Sequence, residues 1–223
     1  MSIFKENLTS RIIQKASLEI LLNCKQNEMK ILEIGCGDGN ITKFLMEKTQ
    51  SFNFDFSCSD ISSEAINKAK SNLKNFKCNI KVGKYLEPWN GKKYDLIISD
   101  VSSISDDVAE KSEWYKGVVC DSGKDGLKNL IFIIDVILDY LKPNGVFILP
   151  IISLCNVDKL KSMLNLKFSQ IIYSEKISWP LPEFFKKNLV FFSELKNQNL
   201  IDFENKFGIS MAFTYAAICK RQY

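Results

Sequence analysis

The residues best suited to chemistry stand in ILEIGCGDGN, where Gly35, Gly37 and Gly39 alternate at the end of an apolar run and Glu33 lies just ahead of them. A glycine turn between a strand and a helix lets the backbone approach a ligand closely. A second acid, Asp60, ends the next apolar segment, FNFDFSCSD. A carboxylate in that place can accept hydrogen bonds from both hydroxyls of a ribose. A ligand carrying a nucleoside is therefore expected, against the plainer reading of a structural turn with a chance acid. A nicotinamide dinucleotide fits less well, because its GxGxxG fingerprint needs a third glycine where this chain has Asn40. Glu33 also suits a ligand with a cationic amino-acid end better than one with two phosphates.

The second candidate centre is Asp100, at the end of YDLIISD and followed by Val101, Ser102 and Ser103. An acid at the carboxyl end of a central strand can orient an amine or hydroxyl and take its proton. The two serines are candidates for substrate contact or for the turn itself. Trp114 and Tyr115, adjacent in EKSEWYKGVVCDSG, and Trp179, in SWPLPEFF, are candidate walls of a substrate pocket, or anchors of their own segments. The chain has no histidine. That excludes His-based zinc sites, a histidine general base and a Ser-His-Asp triad, and no metal is expected.

These residues need elements to hold them. Apolar spacing predicts a helix over Arg11–Leu22, a strand in KILEI, a helix over Asn40–Lys48, a strand through FNFDFSCSD, a serine-capped helix in SSEAINKAKSNL and a strand in KCNIKVGK. YDLIISD reads as a strand buried on both faces. Val101–Lys124 reads as a long loop, Leu127–Leu141 as a helix, and GVFILPII as a strand. VDKLKSMLN (helix), SQIIYSEKI (strand), a WPLP turn, FFKKNLVFFSELKNQ (one helix) and MAFTYAAICKR (strand) complete the series. Strands alternating with helices predict an α/β domain with a mostly parallel sheet and an antiparallel edge strand at the C-terminus. Residues 1–29 are read as an N-terminal helical extension and residues 30–223 as the domain proper.

The pattern E-x-G-x-G-x-G, followed by Asp60, YDLIISD and YLKPNGVFIL, resembles the class I S-adenosylmethionine-dependent methyltransferases over about Lys30–Pro150, and more loosely beyond. The resemblance implies a Rossmann-like fold and S-adenosyl-L-methionine as cofactor. It implies that Gly35, Cys36 and Gly37 line the methionine portion, with Gly39 completing the turn, that Asp60 holds the ribose, and that Ile61 packs on the adenine. Where many relatives carry an acid that reads the adenine edge, this chain has Gly83 and Lys84. The nearest branch is that of the release factor glutamine methyltransferases. Its Asn-Pro-Pro-Tyr substrate motif, or an aspartate version, is matched here only by Asp100, although Asp125, Gly126 and Leu127 match a later segment. A shared scaffold with a different acceptor is expected: a nitrogen or oxygen of a small molecule or an amino-acid side chain. The other readings are an RNA or DNA methyltransferase, a protein glutamine methyltransferase, and a non-catalytic domain that kept the cofactor fold. The Asp-Val-Ser turn is also similar to that of ribose-methylating RNA enzymes of the hemolysin-like family, but their catalytic lysine has no counterpart in PIISLCN.

Whole-chain numbers are compatible with these expectations. The 223 residues are 46% hydrophobic, enough for a sizeable core. A net charge of +4, from 30 basic residues spread along the chain against 26 acids, makes nucleic acid the second choice of partner. The seven cysteines form no CxxC pair and read as reduced thiols. No secretory pattern or membrane-length apolar run is seen, so the expectation is a cytoplasmic protein with no membrane partner. The apolar surplus of FFKKNLVFFSELK suggests core packing and a homodimer.

Overall fold

The computed structural model describes residues 8–112 and 120–221. The first helix, α1 (Leu8–Leu22), precedes a run of alternating elements: β1 (Lys30–Ile34), α2 (Asn40–Lys48), β2 (Asp55–Asp60), α3 (Ser63–Asn72), β3 (Cys78–Val82) and β4 (Tyr94–Ser99). Beyond them come α4 (Asp106–Lys111), α5 (Lys128–Tyr140), β5 (Leu141–Ile152), α6 (Val157–Lys167), β6 (Gln170–Tyr173), β7 (Ile177–Pro180), α7 (Glu183–Lys187), α8 (Leu189–Asn197), β8 (Glu204–Lys206) and β9 (Ile209–Lys220).

The sheet runs β3-β2-β1-β4-β5-β9-β6, with β7 and β8 also paired to β9. From β3 through β5 the pairings are parallel, and every pairing of β9 is antiparallel. This is the Rossmann-like class I methyltransferase fold expected from the sequence. The antiparallel strand is present, but it lies one place in from the edge, between β5 and β6, because its apolar residues are buried on both faces. One face of the sheet is covered by α1, whose Ile12, Ile13, Ala16 and Leu21 pack with Ile31, Leu96, Ile98 and Ile148. On the other face, Leu130, Ile133, Ile134 and Ile137 of α5 and Leu160 and Leu164 of α6 meet Leu32, Ile97, Phe147 and Leu149. Nonpolar burial of this kind contributes about 25 cal/mol per Å².

Several boundaries differ from the sequence reading. The segment read as a loop after β4 contains α4, a helix too short to show a period. The segment read as a turn at WPLP begins in β7, because Trp179 and Pro180 pair with Ala212 and Met211 on the flank of the sheet. The predicted helix at FFKKNLVFFSELKNQ is two helices divided at Asn188, whose side-chain amide donates to Phe184 O and whose backbone N–H donates to Phe185 O. Its phenylalanines do form core: the rings of Phe185 and Phe192 stack with centroids 3.9 Å apart. The hairpin strand β8 carries no apolar alternation and was not expected.

Candidate active site

The strand order reverses between β1 and β4, since β2 follows β1 outward on one side while β4 and β5 build the other. Open α/β sheets place ligands in the crevice beyond the carboxyl ends of strands at such a point. The glycine turn leaves β1 there, Asp60 ends β2, and Asp100 follows β4.

The turn is built by the backbone. Gly35 N–H and Cys36 N–H both donate to Ser59 O, at 2.9 and 3.0 Å. Gly37 N–H donates to Asp60 Oδ2 at 2.9 Å, and Ser62 N–H to Asp60 Oδ1 at 2.8 Å. Each carboxylate oxygen of Asp60 thus has one donor and further lone pairs to offer. Gly35 needs to be glycine, because a Cβ would meet Val101 Cγ1 at 2.9 Å and its φ is +72°. Gly37, with φ +54°, has open space where its Cβ would be, as a ligand cradle requires. Ile61, 69% exposed, stands beside Asp60 as an unpacked apolar surface. Cys36 is buried with Cys58, Ile66, Ala69 and Leu73, so only its backbone belongs to the turn. Gly83 N–H donates to Asp60 O, and Lys84 lies with Nζ 5.1 Å from the Tyr85 ring centre and 5.7 Å from that of Phe132.

Glu33 turns inward. It is buried, and its Oε2 accepts from Thr42 N–H at 2.9 Å and from the Thr42 hydroxyl. Burial pushes its carboxyl up to about 8; the Thr42 bonds oppose this, and the nearby charges of Asp100 and Asp60 add to it. At neutral pH it is therefore mainly protonated, and it braces the glycine turn to the start of α2. Its influence on any ligand runs through that brace.

Asp100 keeps some exposure, yet burial pushes its carboxyl up to about 6, against a lowering bond from Ser10. Ser10 Oγ of α1 donates to Asp100 Oδ2 at 3.0 Å. Ser102 belongs to a polar knot. Ser122 Oγ donates to Ser102 O at 3.0 Å, Asn129 Nδ2 donates to the same carbonyl at 3.3 Å, and Tyr85 OH donates to Asn129 Oδ1 at 2.6 Å. Asp106 of α4 accepts from Ser122 N–H and Gly123 N–H, closing the loop. Ser103 is buried, and its hydroxyl has no partner among the described residues; the same holds for Ser99 and Ser105 on either side. Trp179 Nε1 donates to Thr214 Oγ1 at 3.0 Å across the β7–β9 pair. Trp114 and Tyr115 lie outside the described residues.

The structure thus brings the glycine turn, Asp60 and Asp100 to one crevice, keeps Glu33 buried behind the turn, and backs Gly35 against Val101. Sequence reasoning missed Ser10, Thr42, Tyr85 and Asn129. Only Tyr85 offered a signal, as an aromatic residue beside the expected adenine position; its φ of +48° is unusual for a residue with a side chain.

A methyltransferase domain family model matches residues 25–198. The chain belongs to this family. Its methyltransferase domain is 30% identical over 144 residues to a bifunctional methyltransferase of Rickettsia conorii, covering 60% of this chain and 27% of that protein. It is 32% identical over 113 residues to the release factor glutamine methyltransferase of Bacillus subtilis, covering 47% of this chain and 38% of that one. The chain therefore spans well under half the length of these relatives. In fold, the domain is similar to a precorrin-6y C5,15-methyltransferase of Geobacter metallireducens, with TM-score 0.59, 13% identity, and coverage of 100% and 94% of the two chains. Among the described residues, no helix is long and apolar enough to cross a membrane.

Proposed function

We propose that this chain transfers a methyl group from S-adenosyl-L-methionine to a nitrogen or oxygen of a small molecule or an amino-acid side chain, within a cytoplasmic protein. The domain would begin near residue 30, with the preceding helix supplying Ser10 to the site. When bound, the cofactor supplies a methyl group activated on a sulfonium. The turn at Gly35–Gly37 would hold its amino-acid end, Asp60 its ribose hydroxyls, and Ile61 one face of its adenine. The open space at Gly37 and the spare lone pairs of Asp60 fit that group.

The observation that carries the reading is Asp100. It follows a central strand beside the turn, with its carboxyl pushed up to about 6. At neutral pH it is mainly ionised, accepts an N–H or O–H from the acceptor, and is basic enough to take the proton displaced as the new bond to carbon forms. Val101, Ser102 and Ser103 replace the prolines and the aromatic ring that would stack on a planar amide. That favours an acceptor other than glutamine.

Calorimetric titration with S-adenosylhomocysteine, followed by transfer of labelled methyl to small amines, hydroxy compounds, peptides and RNA, tests this. Binding in the micromolar range with label on a small or peptide acceptor is expected. Absence of cofactor binding, or label on RNA alone, would overturn it.

A further inference from the structure

A cavity of about 540 Å³ shares none of the crevice residues described above. Its lining includes Phe213 and Tyr215 of β9, the first turn of α6 from Asn156 to Asp158, Tyr173 at the end of β6, and the segment Asn199–Asp202 after α8. That is the size of a small-molecule site.

Its chemistry is specific. Lys161, Lys176 and Lys196 line it, against Asp158 and Asp202. Lys196 is held by Asp202 at 2.9 Å. Lys176 Nζ sits 3.5 Å from the Phe213 ring centre, and Lys161 Nζ sits 5.5 and 5.7 Å from the rings of Tyr173 and Tyr215. Both ammonium groups lie over aromatic faces, and that of Lys176 is also in a long ion pair with Glu204 Oε1 at 3.9 Å, contacts from which an incoming anion can draw them. Tyr215 is only 5% exposed and lines the cavity. Its phenol can offer a hydrogen bond to whatever fills the cavity. The amino end of α6 adds partial positive charge to the same wall. Tyr173, 39% exposed, offers a ring face at the rim.

We propose that this cavity binds a nucleoside phosphate, free or as an unpaired nucleotide of an RNA strand. The phosphate sits between Lys161, Lys176 and the first turn of α6. The base stacks on Tyr173, and the Tyr215 hydroxyl donates to a ligand oxygen. Stacking on an aromatic ring favours any base, since every base has a π-face, and the lysines make the affinity salt-dependent.

Titration of the full chain with adenosine 5′-monophosphate, adenosine and a short single-stranded oligoadenylate, all with S-adenosylhomocysteine present in excess, tests the proposal. The excess keeps these probes out of the glycine-turn crevice. Should S-adenosylhomocysteine itself not bind, that failure belongs to the reading of the crevice, and an Asp60→Ala background replaces it. At least one phosphate-bearing probe is expected to bind, about tenfold or more tightly than adenosine, with affinity falling as salt rises. Tighter binding of the monophosphate assigns a free nucleotide; tighter binding of the oligonucleotide assigns an RNA strand. The double variant Lys161→Gln with Lys176→Gln, one half-buried and one exposed lysine, should weaken binding at least tenfold, and Tyr215→Phe about threefold, with the thermal melt of the lysine pair within a few degrees of the parent. No binding of either phosphate probe, or equal binding by the lysine pair, would overturn the site.

Discussion

The two halves of the crevice are held together in different ways. On the β1–β3 side, the glycine turn and Asp60 are joined by backbone donors of consecutive residues: Gly35 and Cys36 N–H donate to the Ser59 carbonyl, and Gly37 N–H to the Asp60 carboxylate, on the adjacent strand. On the β4–β9 side, groups far apart in the chain share the work. Ser10 reaches Asp100 across 90 positions, and Ser102, Ser122 and Asn129 converge from three segments. A local, backbone-built half can accept one invariant ligand. A half knitted from side chains of distant segments can change its acceptor by small substitutions without disturbing the other.

The largest blow to the second half should come from Gly126→Ala. Its φ is +72°, and a Cβ would stand 2.7 Å from Cys155 Cβ and 2.8 Å from the carbonyl carbon of Ile104. Backbone cannot yield as a side chain can, so a loss of about 3 kcal/mol, or roughly 10 °C in Tm, is expected in a thermal melt. A melt within a degree of the parent would mean that this half is softer than its packing suggests.

The next test separates the halves by function. Asp100→Asn should lower kcat about a hundredfold or more while leaving S-adenosylhomocysteine affinity within about twofold. Asp60→Ala should weaken that affinity about tenfold or more, by removing hydrogen bonds to a charged acceptor. If both variants lost affinity equally, the two halves would be one unit and the comparison would fail.

Glu33 gives a smaller, pH-dependent effect. Its carboxyl is held at about 8 in the fold against 4.5 ordinarily. Between those values the folded chain keeps a proton that the unfolded chain releases, so stability is full below about 4.5 and declines as pH rises toward 8. The limiting slope is about 1.4 kcal/mol per pH unit. Glu33→Gln mimics the protonated form and should flatten the decline in Tm between pH 5 and 8. An unchanged slope would place the proton elsewhere.

The smallest expected effect is that of Ser10→Ala. The Ser10 hydroxyl favours the ionised form of Asp100. Methyl transfer should fall as pH drops through about 6, and loss of Ser10 should move that midpoint upward, with KM for the cofactor unchanged. A midpoint that stays in place, or moves down, would detach α1 from the proton acceptor.

Legibility in the sequence followed the same division. Gly35, Gly37 and Gly39 could be read as a turn because glycine at positive φ leaves a compositional mark, and Asp60 because it ends the adjacent strand whose residues accept from Gly35 and Gly37. Asp100 could be read as a position, at the end of a buried apolar run. Its Ser10 partner could not, since nothing in an amphipathic helix marks which serine meets an acid so far along the chain. Glu33 reads from the sequence as suited to a ligand with a cationic end, directly or at one remove; that its carboxyl bonds inward to Thr42 is a choice made by a side-chain rotamer and not by residue type. The core strands were legible from their apolar runs. The split at Asn188 and the short α4 were not, because helices of one or two turns are set by capping and tertiary contact more than by period.

The insertion of β9 between β5 and β6 has a consequence for the chain on the ribosome. Strand β5 pairs with residues much further along the chain, from Ile152 with Thr214 to Val146 with Lys220, and Phe213 N–H donates back to Ser153 Oγ. Until residues 209–220 emerge, the run Val146–Ile151 is an apolar edge with unfilled backbone donors and acceptors, able to pair with any other extended strand. Closing so long a loop is slow compared with helix formation. Growth at low temperature or with chaperones should therefore raise the yield of folded chain, and truncation within β9 should send it into aggregates.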